Sequence, residues 1–277
     1  MKTQFRNTFS ALILSLLTVI SPASANPSNV LKHLHELQTL TYTMLTDYYM
    51  FSGLEGDSRY SRDIDVSINQ FEATLTTLTQ DGNRTIKIAL LGNITSNWQS
   101  YKQLIDVNRS DISAQGYGNS HLVSKLEMKA IELNANLAQG YQDLYASNPR
   151  AVNKWAQYSR EMTLIIQTIS AEYTARSANS SGQVVASKVN NINEGGIAKQ
   201  AREFSKRLNK LKGAPKASKF INKNITQMTS KWTFIEKSVT NYNENTVPFI
   251  VNSYSDRITK SLTAIGEHYQ KLVQAKK

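Results

Sequence analysis

Apolar residues recur at three- and four-residue spacing over most of the chain, the period of a helix that buries one face. Val30, Leu34, Leu37, Leu40, Met44, Leu45, Tyr48 and Phe51 form one stripe and predict a helix over 28–52. Gly53 to Gly56 ends it. Asp57 or Ser58 suits the cap of the next helix, because a short side-chain oxygen accepts from the free amides of a first turn. Ile64, Ile68, Phe71, Leu75 and Leu78 make the second stripe, and Asp81-Gly82-Asn83 is a turn signal. A third helix is expected over 84–108, with Ile88, Leu91, Trp98, Tyr101, Leu104 and Ile105 inward. Ala114 to Ser120 reads as a loop, and Leu122, Leu126, Ile131, Leu133, Leu137, Tyr141 and Leu144 mark the fourth helix.

The second half repeats this text in order. Glu36-Leu37, Thr43, Asp47-Tyr48 and Ser52 return as Glu161-Met162, Thr168, Glu172-Tyr173 and Ser177. Phe71, Leu75 and Leu78 return as Phe204, Leu208 and Leu211. Thr95-Ser96-x-Trp98 returns as Thr229-Ser230-x-Trp232, and Tyr141-Gln142-x-Leu144 as Tyr269-Gln270-x-Leu272. Asn148-Pro149 is the junction, since proline disfavours a helical residue before it. Four further helices are expected over 151–178, 184–211 (with a break at Gly195-Gly196), 220–242 and from Pro248 to about 274. The fold class expected is therefore all-α: two tandem antiparallel four-helix-bundle units, 26–148 and 149–277, with short loops between neighbours. The stretch Asp111 to His121 stands where the second unit has the shorter Asn245 to Pro248, so it reads as an extra loop and a candidate contact.

Residues 1–25 have the layout of a cleaved signal peptide. Lys2 and Arg6 precede an apolar run from Ala11 to Ile20, and Pro22 with Ala23-Ser24-Ala25 supplies the break and the small residues. The run is shorter than the ~20 residues a bilayer span takes. The expectation is a periplasmic or secreted chain, soluble after cleavage. With no cysteine, an exported chain has no disulfide and must hold by core packing.

The net charge of +11 is unevenly spread. The excess is densest between Lys199 and Lys223, where Glu203 is the sole acid. Lys199, Arg202, Lys206 and Lys210 follow three-four-four spacing and so share one helix face, with Phe204, Leu208 and Leu211 on the other. Such a face fits an anionic partner, whether polymer or lipid headgroups, or simply a solvated surface. Aromatics are not interleaved with it, which argues against nucleic acid.

Bond-making chemistry finds little support. There is no thiol, no nucleophile elbow and no phosphate-cradling glycine loop. His33 and His35 are two apart and point to different faces of a helix, so no metal or cofactor is expected from them. Trp98 and Trp232 at matching places, with Tyr48 and Tyr173, read first as core and second as lining for an interhelical ligand.

The text from Thr43 to Asp57, then Tyr60-Ser61-Arg62-Asp63 and Ile68-x-x-Phe71-Glu72-x-x-Leu75-x-x-Leu78, resembles the N-terminal sensor module of PilJ-type type IV pilus chemoreceptors, related to NarX-type nitrate sensors. The similarity is best over the first two helices of each unit. It implies a helical periplasmic sensor in which an Arg early in the first helix helps bind an anion. Arg160, ahead of Met162 and Gln167, stands at the comparable place in the second unit, and His35 stands there in the first. Family receptors also carry membrane-spanning and cytoplasmic signalling parts, which have no counterpart in this text. The expected function is a non-enzymatic binding module, accessory to a chemosensory, pilus or surface-attachment system. Its partner would be a small ligand or a membrane-bound signalling or pilus protein, with a homodimer compatible. The alternative is a structural or adhesive bundle that binds anionic polysaccharide or lipid through the basic face.

Overall fold

The first apolar stripe folds as α1 (Pro27–Gly53). Asn26 starts it by accepting the Ser28 N–H at 3.0 Å, and Pro27 occupies the first turn, where a missing N–H removes no helical bond. The remaining helices of the computed structural model are α2 (Ser58–Gly82), α3 (Ile88–Gln115), α4 (Ser120–Ser147), α5 (Lys154–Asn179), α6 (Gly196–Lys212), α7 (Lys219–Thr240) and α8 (Pro248–Gln274). The structure describes residues 26–82, 85–179, 196–215, 218–240 and 247–274. Among them every regular element is an α-helix, so the chain is all-α. None of these helices is long and apolar enough to cross a membrane. The signal-peptide segment, the expected helix start at Val184 and the Asn245 cap lie outside the described residues.

α1 and α5 are the central rods. α1 packs against α2, α4 and α5, and α5 packs against α6, α8 and α1. α3 joins α4 and touches α2, while α7 joins α8 and touches α6, so the neighbours of α5–α8 follow the scheme of α1–α4. The core between them is filled by the expected stripes. Phe71 stacks on Trp98 with ring centroids 3.9 Å apart, and Phe204 meets Trp232 at 4.3 Å. These rings bind α2 to α3 and α6 to α7 at matching levels, through large buried aromatic area.

Three sequence expectations need correction. α3 runs seven residues past the expected end at 108, to Gln115, and Gly116 closes it with φ +79. Positive φ is open to glycine at little cost, which is why the stop falls there. The stretch 111–115 was read as loop because it is polar, but Ile112 is fully buried and holds it helical. The supposed loop of Asp111 to His121 thus shrinks to 116–119, with Ala114 inside α3 and Ser120 opening α4. α5 starts at Lys154, not 151, because Asn153 caps it by accepting the Trp155 N–H at 2.7 Å. Ile88 is 79% exposed, while Ile86 in the preceding turn folds inward against Leu78 and Gly82 and takes its place in the core.

Candidate functional site

α1 and α5 lie side by side in register. Gly53 of α1 abuts Ala178 of α5, where an added Cβ would stand 3.4 Å from the alanine. Thr43 Oγ1 donates to Gln167 Oε1 at 3.3 Å, and Tyr42 and Thr168 share a hydrogen bond. Near the start of both helices, His35 and Arg160 line one groove. Every pair is separated by about the same stretch of sequence, so the two rods run parallel with repeat-equivalent residues facing.

The groove holds about 640 Å³ and is walled by α1, α2, α5 and α8. Its walls are mostly short polar side chains: Thr39 from α1, Gln70 and Thr74 from α2, Thr163 from α5 and Thr263 from α8. Gly266 brings α8 against α5, where an added Cβ would make an ordinary contact 3.5 Å from Ser159 Cβ. Gln270 fixes the end of the groove. Its Nε2 donates to Ala151 O at 2.9 Å and Ser28 Oγ at 3.1 Å, and its Oε1 accepts the Asn153 N–H at 2.9 Å. One side chain thereby ties α8 to the start of α1 and to the α4–α5 junction. At the rim, Lys32 Nζ lies 3.6 Å from Glu267 and 3.7 Å from Glu36, a screened exposed pair of little energetic weight.

Arg160 is the charged group with an unusual environment. It is half-buried, and Nη1 donates to Tyr141 Oη at 3.2 Å. Tyr141 in turn donates to Gln157 Oε1. The adjacent acid, Glu161, is taken by Arg207 at 2.5 Å, and among the described residues no carboxylate forms an ion pair with Arg160. Burial and the neighbouring Arg160 guanidinium push the His35 imidazole down from 6.5 to about 3, so it is neutral at ordinary pH. The groove therefore offers one guanidinium fork, a neutral imidazole and several hydroxyls and amides, with Lys32, Lys271, Glu36 and Glu267 also in its lining. The Arg160 fork can hold an anionic group by bidentate hydrogen bonds.

The other sequence candidates are dispersed. Lys199, Arg202, Lys206 and Lys210 are all exposed along α6, as their spacing requires, and Lys210 Nζ lies 5.3 Å from the Tyr158 ring centre. They stand apart from the groove around Arg160. Trp98, Trp232, Tyr48 and Tyr173 are core residues and do not line it. Trp232 Nε1 donates to Ser205 Oγ at 2.7 Å, Tyr48 donates to Asn108 Oδ1 at 3.1 Å, and the Tyr173 hydroxyl accepts the Val247 N–H at 3.1 Å. The polar atoms of these three join helices, while the buried Trp98 Nε1 has no partner among the described residues. Sequence reasoning missed the walls from α2 and α8, because Gln70, Thr74, Thr263 and Gln270 look locally like ordinary surface residues. The repeat held one usable signal, the equivalence of His35 and Arg160.

The chain matches no protein-family model, no curated protein and no solved structure.

Proposed function

We propose that the protein is an exported, non-enzymatic binding module made of two tandem four-helix units that arose by duplication. In this reading its ligand carries an anionic group that docks against Arg160 in the groove between α1, α2, α5 and α8. The observation that carries the proposal is the half-buried Arg160 guanidinium with no carboxylate partner among the described residues, facing a groove of about 640 Å³. A charge removed from bulk water without a counter-ion is costly, and an incoming anion relieves that cost. The resemblance to pilus chemoreceptor sensor modules supports service to a chemosensory, pilus or surface-attachment system through a separate signalling partner.

Thermal unfolding in low-salt buffer tests it, with nitrate, sulfate, phosphate, acetate and glucuronate as probes. A true ligand at 100 times its Kd adds about 2.7 kcal/mol of stability. For a chain of this size that raises Tm by roughly 5–10 °C. Arg160→Gln should abolish the rise. Equal responses of parent and variant to every probe would refute the reading.

A second reading rests on the exposed α6 stripe of Lys199, Arg202, Lys206 and Lys210, which suits anionic polysaccharide or lipid headgroups. That binding would weaken steeply with salt and survive Arg160→Gln. It would be lost on replacing the four basic residues with glutamine.

A further inference from the structure

The seam between α1 and α5 has a second groove, of about 290 Å³, on the side of α4 and α6. If α1–α4 are exchanged for α5–α8, the helices walling the first groove become those walling this one. Its chemistry differs. Among the described residues, no charged side chain lines it. Ile131, Ala138, Leu164 and Ile165 give an apolar body, and Gln38, Asn134, Thr168 and Gln200 give polar edges.

Two of these side chains are in an unfavourable state. Asn134 is 5% exposed, and neither its Nδ2 nor its Oδ1 has a hydrogen-bond partner. Gln200 is also 5% exposed, and its Oε1 is unpartnered. A buried polar atom without a partner is costly, so three in residues beside one cavity are a burden on the fold. An apolar residue at 134 would avoid most of it. Asn134 comes from α4 and Gln200 from α6, so the two carboxamides approach the groove from opposite halves of the chain.

We propose that this groove is a second binding site, for a small neutral molecule with a carboxamide-like edge and a short apolar body: a primary amide, a urea or a lactam. These atoms are closed off from solvent in the free protein; once the two carboxamides turn into the groove, such a ligand supplies the acceptor that Asn134 Nδ2 lacks and the donors that Asn134 Oδ1 and Gln200 Oε1 lack. Ile131, Leu164 and Ile165 cover its apolar part. A charged ligand is disfavoured, because nothing in the lining compensates an ionic charge. The volume fits a molecule smaller than most drug-sized ligands. The inference is independent of the reading of Arg160.

The test uses butyramide and 2-piperidone as probes, with butyrate as the charged control. The side-chain amide signal of Asn134, assigned by its disappearance in Asn134→Leu, is followed in heteronuclear NMR spectra, and Tm is measured in parallel. The expected result has two parts. Both neutral probes shift the Asn134 signal saturably while butyrate does not, and Asn134→Leu raises the Tm of the free protein while removing the thermal response to the probes. Arg160→Gln leaves this response intact. The site is overturned if no probe shifts that signal saturably, if butyrate acts like butyramide, or if Asn134→Leu responds like the parent. A lowered Tm in free Asn134→Leu also overturns it, since the carboxamide would then be contributing a bond.

Discussion

His35 shows how one side chain takes its behaviour from its neighbours. In the unfolded chain its imidazole binds a proton near 6.5, and in the fold burial and Arg160 delay that to about 3. Between those values the unfolded state holds more protons, so stability is lost as pH falls through this window. His35→Gln should flatten that acid loss, read as Tm against pH from 7 to 4. Asp256 acts in the opposite sense: burial raises it from 3.8 to about 6, so its contribution is lost as pH rises through that range. A variant profile as steep as the parent's would show that His35 is not held neutral by the fold. At this scale the sequence was legible in part. The arginine and its histidine counterpart stood out in the repeat and the family resemblance. The burial that separates their protonation did not, because it comes from α2 and α8. The tryptophans and tyrosines were legible as core and much less so as a site. Trp232 found a polar partner inside the bundle at Ser205, whereas the buried Trp98 Nε1 has none among the described residues.

Among the elements, α6 shows how another helix helps to start a helix. Its first residue, Gly196, has φ +63, and the Ile197 N–H donates to Glu172 Oε1 of α5 at 3.2 Å. Arg176 Nη2 holds the same oxygen at 2.5 Å. A carboxylate from another helix thus satisfies an orphan amide and complements the positive end of α6. Glu172→Ala removes both contacts from a fully buried position and should cost about 3 kcal/mol. Glu172→Gln keeps an acceptor and should cost about half as much, nearer the range of a single hydrogen bond to a charged group. Chemical denaturation compares them, and equal losses would show that the oxygen's position contributes nothing. This device was invisible in the text, because the partners are far apart in sequence. The helices were legible wherever stripes were long, as in 64–78. The end of α3 and the start of α5 were not, because Ile112 alone carries the last turn of α3 inward and Asn153 alone sets the start of α5.

In the whole molecule α1 and α5 are shared walls, each serving its own neighbours and the other rod. Unfolding one half would strip a buried face from the other, so a single cooperative transition is expected. Trp98 on α3 and Trp232 on α7 report on the two halves. In variants that keep only one of them, with Trp155 of α5 also replaced, fluorescence and far-UV circular dichroism melts should superimpose. A fluorescence melt displaced from the dichroism melt in either variant would mean that the halves come apart separately. The parallel seam has one more consequence. Two identical copies of a single unit, meeting about an axis along these rods, must set the same residue against itself: arginine facing arginine, or histidine facing histidine. In one continuous chain the two positions are free to drift apart. Here the two positions differ, and the Arg160 cation stands across from an uncharged ring where a symmetric pair would offer two repelling charges or none.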